Sequence, residues 1–143
     1  MTAVAFHFGA PDKLAYVCRL LRKATASGLR VVVVGPAQQL QPLDTLLWGV
    51  SATDFVTHAF DDMPGSVISR SSVRMTSDVA AHAPSPAVLV NLGEQVPEGF
   101  AQFARVIEIV STDDADRDLA RQRWKHYTRL GIDIQRHDLA LKA

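Results

Sequence analysis

The stretch Gly28-Leu29-Arg30-Val31-Val32-Val33-Val34-Gly35-Pro36 decides the fold class. A strand with one wet face alternates apolar and polar residues, whereas in residues 30–34 Arg30 is followed by four consecutive β-branched valines without a polar break. Such a run belongs to a central parallel strand covered on both faces. Gly28 stands where a helix C-terminal glycine belongs, and Pro36 suits the opening of a second helix.

Working outward, residues 3–8 read as a short strand ended by Gly9. Ala10-Pro11-Asp12 then offers a helix start, and Leu14, Val17, Cys18, Leu21 and Ala24 recur with helical period to about Ser27. Downstream, residues 37–48 form the second helix, with Leu40, Leu43 and Leu47 inward and Trp48 a further candidate. Residues 54–59 read as extended. Residues 63–86 are rich in Ser, Pro, Gly and Ala and read as loop around a weak strand at 71–75. Residues 87–92 are another buried strand. Phe100, Phe103 and Ala104 mark a short helix or turn, and residues 105–110 are a strand leading into a final helix. Strand–helix alternation with apolar strands predicts an α/β fold. Its form is a single doubly wound, mainly parallel sheet with helices on both faces, in one domain over residues 1–143.

Such a Rossmann-like fold invites a nucleotide, and its turns would have to carry the phosphate chemistry. The turn Val33-Val34-Gly35-Pro36-Ala37-Gln38 has neither G-x-G-x-x-G nor G-K-[ST], and Pro36 removes a backbone N–H from the helix start. Phe8-Gly9-Ala10-Pro11 fails in the same way. His7, His58, His82, His126 and His137 are scattered without metal-ligand spacing, so no metal and no cofactor is expected. Cys18 falls on the apolar stripe of the first helix and reads as a small buried hydrophobe. Asp113, Asp114 and Asp116 lack the glycine and distal glutamate of an EF-hand, which leaves helix capping as the better account.

The bulk composition narrows the partners. Lys plus Arg and Asp plus Glu number 15 each, so no global field draws the chain onto nucleic acid. One cysteine cannot form an internal disulfide. The N-terminus lacks the basic region and apolar core of a signal peptide, and no apolar run reaches membrane-spanning length. The expected compartment is the cytoplasm.

The final helix, STDDADRDLARQRWKHYTRLG over residues 111–131, is where the chemistry concentrates. Asp113, Asp114, Asp116 and Asp118 crowd its start, where they complement the helix dipole. Arg117, Arg121, Trp124, Lys125 and Thr128 recur at spacings of three and four, which places three cations and an indole on one face. Leu119, Tyr127 and Leu130 lie nearer the other side as an apolar footing. A basic face around an aromatic suits a partner that carries both carboxylates and an aromatic group.

The run Leu119-Ala120-Arg121-Gln122-Arg123-Trp124-Lys125-His126-Tyr127, followed by Gly131, resembles the closing helix of the chi subunit family of bacterial DNA polymerase III holoenzyme. Val4-Ala5-Phe6-His7-Phe8, Leu43-Asp44-Thr45-Leu46-Leu47-Trp48, Asp54-Phe55-Val56-Thr57-His58 and Ala87-Val88-Leu89-Val90-Asn91-Leu92 resemble further family stretches in the same order. Residues 61–85 match little. The resemblance implies a non-catalytic accessory subunit that links the clamp loader to single-stranded-DNA-binding protein (SSB), whose acidic tail ends in Pro-Phe. It implies tail binding by Arg117, Arg121, Trp124, Lys125, Thr128, Gly131 and Ile132. On the clamp-loader side it implies docking of the psi subunit, another clamp-loader subunit or a helicase through Trp48 and Phe55. From its own pattern Phe55 reads equally as core, and for Trp48 core is the better reading. Nucleic acid would be reached only through SSB. Two other readings stay open: a small nucleotide-binding protein, and a direct single-stranded nucleic-acid binder that stacks bases on Trp124.

Overall fold

The computed structural model describes residues 2–26, 31–48, 58–60, 73–76, 88–97 and 100–138. The element order is β1 (Ala3–Ala10), α1 (Lys13–Ala26), β2 (Val31–Val34), α2 (Ala37–Trp48), β3 (His58–Phe60), β4 (Val73–Thr76), β5 (Val88–Asn91) and a 3-10 turn at Phe100–Gln102. Then follow β6 (Arg105–Ser111), α3 (Asp114–Arg129) and β7 (Ile134–Asp138). The strands form one sheet in the order β3-β4-β2-β5-β6-β1-β7, and every pairing is parallel. The expectation of a mainly parallel sheet is met, without an antiparallel member among the described strands.

The valine run behaves as a doubly covered strand. Val31 and Val33 join the core under α1 and α2, with Leu21, Leu43 and Met75. Val34, and more loosely Val32, belong to the opposite core under α3, with Phe6, Leu89, Val106 and Tyr127. The topology explains this division. The crossover from β1 to β2 runs one way along the sheet and that from β6 to β7 runs the other, so right-handed connections place their helices on opposite faces.

Two local readings are revised and a third, that of Cys18, holds. β1 does not end at Gly9: the chain bulges there, Gly9 takes φ 79°, and pairing with β6 resumes at Ala10. Leu130 is no footing for the last helix. It is the C-cap, 55% exposed, because the helix stops before that position returns to the sheet. The true footing is Ala120, Arg123 and Tyr127. Cys18 is buried in the α1 core, and that burial raises its thiol pKa.

Phe55, His82, Gly28 and the greater part of the 61–85 segment lie outside the described residues, as do 54–57 of the expected extended stretch and 71–72 of the weak strand. Trp48 closes α2, but its side chain and that of Leu47 lie outside them too.

Candidate functional site

Two neighbouring strands send their chains to opposite faces. β1 leaves toward α1, β6 toward α3, and a crevice opens beyond their carboxyl ends. That is the switch point where open parallel α/β sheets ordinarily bind ligands. A cleft of about 620 Å³ occupies it, with Phe8 and Gly9 from β1, Ser111 and Thr112 at the end of β6, and Arg117, Ala120, Arg121, Trp124 and Lys125 from α3. Arg136 of β7 completes the wall. The volume suits the end of a short peptide or a small molecule.

The helix is set firmly at both ends. The Asp113 side chain accepts from the Asp116 backbone N–H at 3.1 Å, an N-cap. The Asp116 carboxylate accepts from the Ser111 N–H at 2.8 Å and from Lys13 Nζ at 3.2 Å, so it ties the start of α3 to β6 and α1. Burial raises the Asp116 pKa, but the Ser111 N–H and Lys13 outweigh it and hold the carboxyl below its usual value. The Asp113 carboxylate takes a helix-start N–H that a phosphate would need, which counts against the nucleotide reading. At the other end the Ile132 N–H donates to the Tyr127 carbonyl and the Gly131 N–H to the Thr128 carbonyl. With Gly131 at φ 77° this is a Schellman ending.

A buried polar cluster anchors the middle of α3. Glu108, fully buried on β6, accepts from Arg123 Nε at 2.9 Å, from Tyr127 Oη at 2.7 Å and from Asn91 Nδ2 at 3.0 Å. Arg123 Nη1 donates to the Glu94 carbonyl at 3.1 Å, and Asn91 Nδ2 also donates to the Gln95 carbonyl at 3.0 Å. Arg123 and Tyr127 are one turn apart, so they lie on the same helical face and fix its rotation about its axis. Burial raises the pKa of Glu108 against the pull of Arg123 and the other donors, and burial beside Glu108 raises that of Tyr127. Sequence reading missed this cluster. Its signal was a lone glutamate in an otherwise apolar strand, Val106-Ile107-Glu108-Ile109-Val110, which demands a buried partner.

With that face pinned, the opposite one is set. Arg117, Arg121 and Lys125 are exposed along the cleft, Arg121 pairing with Asp118 at 2.8 Å and Arg117 with Asp114 at 3.9 Å. Trp124 lies half-buried between faces, its ring centroid 5.0 Å from Phe6 and 6.0 Å from Phe8. The structure therefore brings together four of the seven residues expected to hold a peptide tail: Arg117, Arg121, Trp124 and Lys125. Thr128, Gly131 and Ile132 do not line the cleft. The Thr128 hydroxyl donates to the Trp124 carbonyl at 2.9 Å, Gly131 closes the helix, and Ile132 packs against the core. Phe8 and Arg136 are additions the sequence did not suggest. Among the described residues no group of three or more His, Cys, Asp and Glu is placed to hold a metal ion.

Fold and cleft define the class: an open, parallel α/β protein with a cation- and aromatic-lined crevice at its switch point. The solved C-terminal domain of S. cerevisiae Dbp5, bound to Gle1 and IP6, superposes with a TM-score of 0.62. It covers 95% of this chain and 90% of its own, and at 14% identity the likeness is one of fold alone. The model of the family described as DNA polymerase III chi subunit, HolC, matches residues 1–135, and the chain belongs to that family. The DNA polymerase III subunit chi of Pseudomonas aeruginosa is 28% identical to it over 130 residues, 89% of this chain and 87% of that protein. Membership makes the chain a non-catalytic accessory subunit of DNA polymerase III. Among the described residues no helix is long and apolar enough to cross a membrane.

Proposed function

We propose that this subunit grips the acidic C-terminal tail of SSB in the switch-point cleft and joins it to the clamp loader through psi or an equivalent subunit. The observation that carries the reading is the gathering of Arg117, Arg121 and Lys125 around Trp124 and Phe8 in one crevice. A tail with several aspartates and a terminal phenylalanine needs cations beside an aromatic surface, and both are present. The clamp-loader half rests on the family resemblance of Trp48 and Phe55.

Isothermal titration with an acidic peptide ending in Pro-Phe, and with the same peptide lacking the Phe, tests the first half. Micromolar binding that salt weakens and that falls on removing the Phe supports it. Equal affinity for both peptides overturns it, and tight binding of naked single-stranded DNA with neither peptide bound would favour the direct nucleic-acid reading. For the second half, Phe55→Ala should abolish clamp-loader association while leaving tail affinity intact. A well-folded Phe55→Ala that still associates would remove the two-surface scheme.

A further inference from the structure

We infer that Arg136, on the strand wall of the cleft, is the residue that takes the terminal α-carboxylate of a peptide ending in an aromatic residue. The inference rests on the peptide-binding reading above and deepens it.

β7 pairs with β1 in the register Val4↔Ile134 and Phe6↔Arg136. Partners in a parallel pair point to the same face, so Arg136 rises on the side of Phe6, the α3 side of the sheet. There its guanidinium lies over the Phe8 ring, 5.1 Å from the centroid. Among the described residues Arg136 has no carboxylate partner, whereas Arg117 and Arg121 on the facing wall already pair with Asp114 and Asp118. The planar fork of Arg136 is thus held in place by stacking, with its N–H edge available for a bidentate carboxylate.

Geometry then selects which carboxylate. Phe8 and Trp124 lie 6.0 Å apart at 40° and form the aromatic surface of the cleft. A ring seated on that pair belongs to a residue whose α-carboxylate is separated from the ring by Cβ and Cα alone when the residue is C-terminal. That carboxylate falls within reach of a cation that rests on the same aromatic surface, and Arg136 rests there over Phe8. Aspartates further up the peptide have no such tether and fall to Arg117, Arg121 and Lys125 on the helix wall. The two walls therefore divide the labour: the strand reads the chain end and the helix reads the charge before it.

A thermodynamic cycle tests the assignment, with the acidic peptide ending in Pro-Phe as free acid and as C-terminal amide. Wild type and Arg136→Ala, both full length, are titrated with each, and Arg121→Ala serves as the helix-wall control. The expected result is roughly a tenfold loss on amidation for wild type and for Arg121→Ala. Arg136→Ala should lose about the same on the free acid and lose nothing more on amidation. Arg136→Lys should recover part of the acid affinity, because it restores charge without the fork. Amidation that costs Arg136→Ala as much as it costs wild type overturns the assignment, and so does Arg136→Ala binding the free acid at wild-type strength. Wild type that binds neither peptide overturns the reading beneath it, and this inference with it. Arg136 is exposed on an edge strand, and matching melting curves for wild type and variant separate lost binding from lost fold.

Discussion

Two arginines stand two residues apart on the same helix and do opposite things. Arg123 is 2% exposed and bonded to a fully buried Glu108, while Arg121 has a side chain 65% exposed and bonded to an equally exposed Asp118. The distances are nearly the same, 2.9 and 2.8 Å. What differs is the medium. Removing one partner of a buried pair strands a charge in a poorly polarisable interior, whereas water replaces an exposed partner at almost no cost. The first pair sets where the helix sits, and that placement is what turns the second arginine toward the cleft. An ion pair's length says little about its role; its burial says much.

The largest effect that can break this contrast is Arg123→Ala, expected to destabilise the protein by about 3–5 kcal/mol in urea unfolding. A loss below about 1 kcal/mol would mean that the buried cluster does not hold the helix. Arg121→Ala should leave stability within about 0.5 kcal/mol of wild type. The same change should weaken the acidic tail peptide by about 1–3 kcal/mol, read by titration. Peptide affinity unchanged at low salt would remove Arg121 from the site.

Lys13–Asp116 is the intermediate case, with side chains 13% and 19% exposed. Asp116 has a folded pKa lowered from 3.8. The stability it contributes is therefore present above pH 3.8 and is lost as the pH falls through the lower, folded value. Acid titrations of unfolding free energy should show a shallower decline below about pH 4 for Asp116→Asn than for wild type. Parallel curves would show that Asp116 has no part in the acid sensitivity. Smallest of all is Asp118→Ala, which releases Arg121 from its neighbour on the helix. Peptide affinity should rise by about 0.3–0.5 kcal/mol, the worth of an exposed pair one turn apart. A decrease would mean that Asp118 orients Arg121 rather than competing for it.

Much of this arrangement was legible from local chemistry. Val31–Val34 declared a doubly covered strand, Asp113 declared an N-cap, and the spacing of Arg117, Arg121 and Trp124 declared one face. What stayed hidden was non-local. Arg123 took no role from the sequence pattern, because its partner lies on β6, fifteen residues earlier in sequence. Arg136 read as nothing in particular, since its place in the cleft depends on β7 pairing with β1. Leu130 misled in the other direction: the helical period puts it on the inner face, but the helix ends before contact is made. Periodicity reports which residues share a face, and only the sheet order reports what that face meets.

β1 carries a consequence for how the protein is made. Val4 pairs with Val106 on one side and with Ile134 on the other, so β1 leaves the ribosome and finds neither neighbour until β6 and β7 have followed. Phe6, which ends in the core, must wait with its ring unsheltered until those strands have been made. Long-range parallel pairing of this kind is slow, and the waiting strand is a target for chaperones or for sticking to its like. The cleft draws its walls from β1, β6, α3 and β7, so it closes only when the last of these is in place. A half-translated subunit has no grip to offer, and only a finished one can be recruited.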